Sequence, residues 1–502
     1  MLESQQTTPQ APRPLDAAND DSFSRLLEKS FRPPTDERRS AINQAVTTLG
    51  EWAVRHSNLL TEDAVTSIRA LVAEIDEMLT AQINEILHCP EFQTLESSWR
   101  GLHFLVSRTE IDEKMKIRAL PLSKTELRNT LRKFKGAAWD TSPLFKKVYE
   151  QEYGVLGGTP YGLLVGDYYF DHTPTDCETL REMSKIAAAA HAPFLSAAES
   201  SVLGLESWQD LSAPRDLSAI FATAEYAAWN SLRKSDDARY IALTLPRFLG
   251  RTPYGAKVNP VDEFAFEEDT GSADPSRFCW VNSAYGMAAN VTRAFTEYGW
   301  CTRIRGVESG GAVENLPTFT FPTDDGGVDL ACPTEVAISD RREAELSKNG
   351  FMPLLHRKNS DVAAFIGGQS LQKPTAYDDP AATANAELSA RLPYIMAVCR
   401  FAHYLKVMVR DKIGSDFQSA DELQTWLERW LVRNYVHADP RHASEKGRAT
   451  RPLAAAEVIV TEVEDNPGYY NAQFLLKPHY QLEGLTVSLR LVSKLNSAKS
   501  RA

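Results

Sequence analysis

The sequence has no CxxC pair. Its six cysteines, Cys89, Cys177, Cys279, Cys301, Cys332 and Cys399, are scattered along 502 residues. That argues against a disulfide framework and for reduced, mostly buried thiols in a cytoplasmic protein. There is no run of 18 apolar residues, so no membrane span is expected. The opening stretch, MLESQQTTPQAPRPLDAANDD, lacks a charged segment followed by an apolar one and does not read as a secretory signal. Positive charge is in short supply. The 55 Lys and Arg against 67 Asp and Glu give a net charge of -12. This argues against a free-standing nucleic-acid binder, though not against an acidic protein with one basic face. Catalytic signatures are missing too. HExxH and GxSxG do not occur, and Ser196 and Ser200 in PFLSAAES lack the glycines of a nucleophile elbow.

What is present is an ordinary globular balance, 43% hydrophobic and 24% charged, in a chain long enough for two or three domains. The pattern divides into an arm at 1–60, a main region at 61–370, a linker at 371–386 and a C-terminal domain at 387–502. Residues 1–20 are rich in Pro, Gln and Ala and predict a disordered arm. Ser22–Phe31 follows, with Phe23, Leu26 and Leu27 on one helical face. Such a short helix cannot bury its stripe alone. It is either a recognition peptide for a groove on another protein or a helix docked on its own domain.

Two helices are expected next, Ser40–His56 and Thr61–Leu87. The second carries Val65, Ile68, Leu71, Val72, Ile75, Leu79, Ile83 and Ile86 at spacings of three and four. A stripe of that length predicts packing on a partner helix, in this chain or another. From residue 90 onward strands and helices alternate, which predicts a layered α/β domain. Expected strands are Tyr161–Val165, Phe194–Ser196, Tyr240–Leu245 and Cys301–Arg305. Expected helix starts are the Ser123/Glu126 capping box and Ser142-Pro143. Residues 306–335 read as an exposed loop with a short strand at Thr318–Phe321, and 367–385 as a linker. Two helices follow, Glu387–Ile413 and one opening at Ser419/Glu422. The chain ends in an antiparallel meander: Glu457–Val463, a turn at Asp465–Gly468, Tyr469–Lys477, and Leu485–Val492. In the last strand Leu485, Val487, Leu489 and Leu491 share a face. The fold class is therefore mixed α/β, with an N-terminal helical arm and terminal strands whose edge another chain can pair with.

Layered α/β folds often bind nucleotides beyond their strand ends. After Tyr161–Val165 the chain reads GDYYFDH, and after Tyr240–Leu245 it reads PRFLGRTPYG. Neither is GxGxxG or GxxxxGK followed by Ser or Thr. Gly250, Arg251 and Gly255 read as a structural turn. Asp167, Asp171 and His172 have the residue types of a metal or acid–base site, but no second ligand cluster lies nearby. A solvated turn is the plainer reading. No catalytic residue, cofactor or metal is expected.

Several long segments, in order, carry a resemblance. They are LHCPEFQTLESSWRGLHFLV (Leu87–Val106), YGLLVGDYYFDH (Tyr161–His172), PFLSAAES (Pro193–Ser200), LTLPRFLGRTPYG (Leu243–Gly255), PYIMAVCRFAHYLK (Pro393–Lys406) and LEGLTVSLRLVSKL (Leu482–Leu495). Over roughly residues 60–495 the chain resembles the large contractile-sheath subunit of type VI secretion systems, the TssC or VipB family. The resemblance implies a fold like that of phage tail sheaths and no enzyme activity. It implies a small partner subunit, TssB or VipA, and stacking with further copies into a helical tube. That tube would surround Hcp rings, attach to a baseplate and be dismantled by the AAA+ ATPase ClpV. It also implies that Phe23, Leu26 and Leu27 serve ClpV recognition. Val65, Ile68, Leu71, Val72, Ile75 and Leu79 would face the small subunit. Leu485, Val487, Leu489 and Leu491 are candidates for a strand shared between subunits. The rival readings are a nucleotide-binding α/β enzyme and a phage-like sheath that needs no small partner.

Overall fold

The computed structural model describes residues 64–212, 216–270, 274–322, 327–413, 419–437, 442–463 and 470–479, with single positions between 38 and 52. The expected arm helix at Ser22–Phe31 and the strand Leu485–Val492 lie outside the described residues. The chain separates into two compact units, Met1–Glu85 with Pro260–Glu268, and Ile86–Asn259 with Asp269–Ala502.

A six-stranded mixed sheet organises the larger unit. Its strands are β1 (Leu164–Phe170), β2 (Phe194–Ala198), β3 (Ile241–Leu245), β4 (Ala312–Val313), β5 (Phe351–His356) and β6 (Ala363–Phe365), in the spatial order β1-β2-β3-β5-β6-β4. The first four in that order are parallel, while β6 runs antiparallel to both β5 and β4. β2 and β3 are buried along their whole length, as central parallel strands covered on both faces must be. Alternation still sorts their side chains. Ile241, Leu243 and Leu245 enter one core with Leu180, Ile186 and Trp229. Ala242, Met352 and Leu354 enter a second core on the opposite face with Tyr285, Met287 and Val291.

Helices cover both faces. α1 (Ala64–Leu87) belongs, up to Glu85, to the smaller unit, and around the sheet lie α2 (Pro90–Ser107), α3 (Lys124–Lys133), α4 (Pro174–Ala190), α5 (Ala284–Tyr298) and α6 (Asp340–Lys348). α3 opens on the capping box read from the sequence, with both reciprocal bonds between Ser123 and Glu126 formed. Thr173 caps α4 and accepts from the Asp176 amide, with Pro174 in the first turn. Beyond the sheet come α7 (Pro380–Ser389), α8 (Leu392–Lys412) and α9 (Ala420–Tyr435), then the hairpin β7 (Leu453–Glu462) and β8 (Tyr470–Pro478). These build a third core from Trp300, Phe401, Leu405, Leu427, Leu431, Val458 and Val460. The Trp300 and Phe401 rings sit 4.6 Å apart. α8 is long and apolar enough by composition to cross a membrane. Here Leu392, Ile395, Met396 and Phe401 are buried in the protein's own cores.

Several boundaries differ from the sequence reading, and Cys301–Arg305, expected as a strand, is irregular backbone between α5 and β4. The first strand is Leu164–Phe170, so GDYYF is strand rather than turn. Gly166 sits under the Phe194 ring, where a Cβ would lie 2.5 Å from the ring carbon Cζ. The single helix expected over Glu387–Ile413 is two. Arg391 is extended, Pro393 lies in the first turn of α8, and the Leu392 amide donates instead to Gly368. The stretch 306–335 is not all exposed loop, because Ala312 and Val313 are buried as β4. β7 begins at Leu453, four residues before the expected start.

Candidate assembly surfaces

The chemistry-bearing residues singled out in the sequence are used internally. Asp171 Oδ1 accepts from the Thr173 amide at 2.8 Å and from its hydroxyl. The His172 ring stacks on Tyr226 with centroids 4.2 Å apart. Burial, and after it the nearby Asp167 carboxylate, push the pKa of the Tyr285 hydroxyl up. The Ser196 hydroxyl is buried and donates to the Gly166 carbonyl at 2.8 Å. Gly250 lies against Val281, where a Cβ would come within 2.6 Å of a methyl. Among the described residues no group of three or more His, Cys, Asp or Glu is placed to hold a metal ion.

The unusual features are on the surface. α1 leaves Ile68, Val72, Leu79 and Ile86 exposed, at steps of four, seven and seven. That is the spacing of a coiled-coil seam, which is stable only against a second helix. Of the other positions expected to face a partner, Leu71 is 4% exposed and so turned inward, and Ile75 is half-buried. The side chain of Val65 lies outside the described residues.

α2 carries a second seam that the sequence reading missed. Leu95 is 55% exposed, Trp99 65% and Val106 39%, again at steps of four and seven. The opposite face of α2 is fixed to the core. Gly101 lets the helix approach α5 so closely that a Cβ would meet the Tyr285 ring at 2.3 Å. Leu105 is buried, and the Phe104 and Phe248 rings sit 5.0 Å apart. The Glu96 carboxylate takes Arg251 and Arg100, both at 2.7 Å. Burial works against that carboxylate, but the two guanidiniums outweigh it and hold its pKa below the usual range.

This anchor has a measurable consequence. Glu96→Gln leaves the Arg251 side chain, 7% exposed, without its carboxylate, and an expected loss of about 3 kcal/mol follows. The loss is read as a lower midpoint in urea unfolding at pH 7. The lowered folded-state pKa means the ion pairs contribute fully above about pH 4.5 and fade as pH falls through the folded value. The gap between wild type and variant should therefore narrow in acid.

Between α2, the segment 113–122 and the edge strand β1 runs a groove of about 1300 Å³, lined by Trp99, Ile117, Leu120, Leu163 and Val165. The C-terminal hairpin offers another edge. On its outer side β7 is engaged, for the Val460 amide donates to Gln424 Oε1 at 3.1 Å and Leu453 bridges to Val436. Among the described residues β8 pairs with β7 alone, so its far side is open to strand addition.

Surfaces of this kind fit a chain made to assemble, and the comparisons identify the assembly. Residues 69–372 match the model for the tail sheath N-terminal domain of EvpB/VC_A0108, and residues 381–495 match that family's tail sheath gpW/gp25-like domain. The chain belongs to this tail sheath family. A curated relative, the type VI secretion system sheath protein TssC1 of Pseudomonas aeruginosa, is 65% identical over 477 residues, covering 95% of each chain. This sheath chain is thus a type VI secretion contractile-sheath subunit. Among solved structures it is similar to a chain of the anti-feeding prophage baseplate, at 12% identity and a TM-score of 0.35, covering 63% of this chain and 66% of that one. It is also similar to a chain of a contracted extracellular injection-system sheath, at 9% identity and a TM-score of 0.33, covering 62% and 68%. The assignment of this sheath chain rests on the family models and the 65% identical relative.

Proposed function

We propose that the chain is the large subunit of a cytoplasmic contractile sheath, that it does no catalysis, and that it functions as a pair with a small sheath subunit of the TssB or VipA kind. The observation that carries this is the exposed seam Ile68–Val72–Leu79–Ile86 on α1. A helix with that face bare needs a partner helix, and the small subunit is the partner. Pairs then stack through head-to-tail contacts that do not close, which makes a helical tube without special chemistry. The expected strand Leu485–Val492 and the edge of β8 that no described residue pairs with link neighbouring pairs while they rotate as rigid bodies during contraction. The tube surrounds Hcp rings and stands on a baseplate. Its energy is stored in subunit packing, which is why no reactive centre is needed.

Expression tests the pairing. The chain made alone should be poorly soluble or form irregular aggregates, and co-expression with the small subunit should bring both into one soluble complex on sedimentation. Regular tubes from the chain alone would instead favour a single-component sheath. Tight, stoichiometric nucleotide binding by calorimetry would favour the enzyme reading.

The arm helix carries a separate expectation. Leu26→Asp with Leu27→Asp should leave assembly intact and weaken binding of ClpV, measured by fluorescence anisotropy of a labelled 1–35 peptide. Equal affinity of wild-type and variant peptides would remove Phe23, Leu26 and Leu27 from that role.

A further inference from the structure

The groove beside β1 is bounded on two sides by main chain without partners. Among the described residues β1 pairs with β2 alone. In a parallel pair only alternate residues bond the neighbouring strand. The Leu164 amide donates toward β2, to the Pro193 carbonyl at 2.9 Å. Val165, which lines the groove, therefore turns its amide and carbonyl the other way. Further along, the Tyr169 carbonyl accepts from Lys124 Nζ at 2.5 Å, which closes that end of the strand to a neighbour.

The segment 113–122 forms another wall. From Lys116 to Pro121 no backbone amide or carbonyl has a hydrogen-bond partner among the described residues. The side chains still alternate as in a strand, with Met115 and Ile117 half-buried and Lys116 and Arg118 exposed. Arg118 holds the segment in place through Glu152 and the Tyr161 hydroxyl, the latter at 3.2 Å. In the chain by itself water serves these main-chain groups. In an assembly they can take another main chain instead. At about 1300 Å³ the groove exceeds a small-molecule pocket, which holds roughly 300–1000 Å³. Trp99, 65% exposed, and Leu120, 49% exposed, leave apolar surface bare along it.

The chain's own remaining segments fit this groove badly. Residues 1–21 contain Pro9, Pro12 and Pro14, which cannot donate to a ladder, and offer no apolar alternation. Ser22–Phe31 and Ser40–His56 read as helices. Leu485–Val492 has the alternation, but Arg490, Lys494, Lys499 and Arg501 lie on or just after it. They would meet like charge. Lys114, Lys116 and Lys147 line the groove, none with an acid partner among the described residues, and Arg400 adds to them. The lining carboxylates Glu113 and Asp167 are outnumbered. On a chain of net charge -12 such a positive lining selects an acidic visitor.

We propose that a β-strand of the small sheath subunit, with apolar and acidic side chains in alternation, enters this groove. It bonds to β1 on one side and to Lys116–Pro121 on the other, and so adds a strand to the edge of the six-stranded sheet. This rests on the pairing proposed above and gives it a main-chain contact in addition to the α1 seam. Trp99 belongs both to the bare seam of α2 and to the groove, so one partner can cover both.

The test uses the co-purified complex of the full chain with the small subunit. Benzophenone side chains are placed one at a time at Leu120, in the groove, and at Val72, on the α1 seam. Irradiation of the Leu120 form should join the two chains, and mass mapping should place the bond in one short segment of the small subunit whose apolar and acidic residues alternate. Hydrogen exchange on the unlabelled complex reads the main-chain bonds. Amides within Lys116–Leu120, and that of Val165, should exchange at least about a hundredfold more slowly than in an unstructured chain. Bonds from Leu120 to another copy of this chain, no bond to the small subunit, or exchange of Lys116–Leu120 at the unstructured rate would overturn the proposal. If Val72 still joins the small subunit in that case, the pairing itself stands. If the two chains do not co-purify at all, the pairing falls and the strand with it.

Discussion

Val72→Asp combined with Leu79→Asp should abolish the complex with the small subunit while leaving the chain's own fold intact. Both side chains are exposed, so their loss removes nothing from the three cores. In the complex each would be buried, at about 1.5–3 kcal/mol per side chain. Two carboxylates would also be stripped of water against an apolar seam. The sum is at least about 3 kcal/mol, more than a hundredfold in affinity. Co-purification of the tagged pair reads the loss. Limited proteolysis reads the fold, and the fragments protected in the variant should match those of the wild-type chain, as expected where only surface side chains change. Retained pairing would move the partner to another face, with the α2 seam at Leu95, Trp99 and Val106 next in line.

Removing Leu485–Ala502 should have an equally large effect one level higher. The pair should still form, because α1 is untouched, but regular tubes should not. Among the described residues β8 pairs with β7 alone, and period-two alternation over Leu485–Val492 predicts a strand able to pair with an edge of that kind. Without it neighbouring pairs lose their main-chain link. Sedimentation separates the outcomes, since a discrete pair replaces fast-sedimenting polymer. Normal tubes from the truncated chain would remove this strand from the linkage.

Much of this arrangement was legible where local chemistry decides structure. Ser123 and Glu126 announce α3, and both capping bonds form. The runs now seen as β2 and β3 are short, apolar and bounded by turn residues, and they fold as central strands. What escaped was decided by tertiary contact. Gly166 reads as a break after Val165 in the sequence, and the Phe194 ring packed over it explains its place in a strand. Ala454, Ala455 and Ala456 are weak strand formers and hide the start of β7, which the pairing of Ala455 with Lys477 and Ala456 with Leu476 brings into the hairpin.

The interaction surfaces show the same limit more sharply. α1 has more apolar positions than one seam needs, and periodicity does not say that Leu71 turns inward while Val72 stays out. α2 has two apolar faces, Gly101–Phe104–Leu105 and Leu95–Trp99–Val106. Which is core depends on Tyr285 and Phe248, which are far away in sequence.

Negative-stain microscopy of the co-expressed pair tests the central claim most directly. The account predicts hollow tubes with a regular helical lattice, built from both chains in equal number. Discrete particles of one or two pairs under every condition tried, with no polymer, would contradict it.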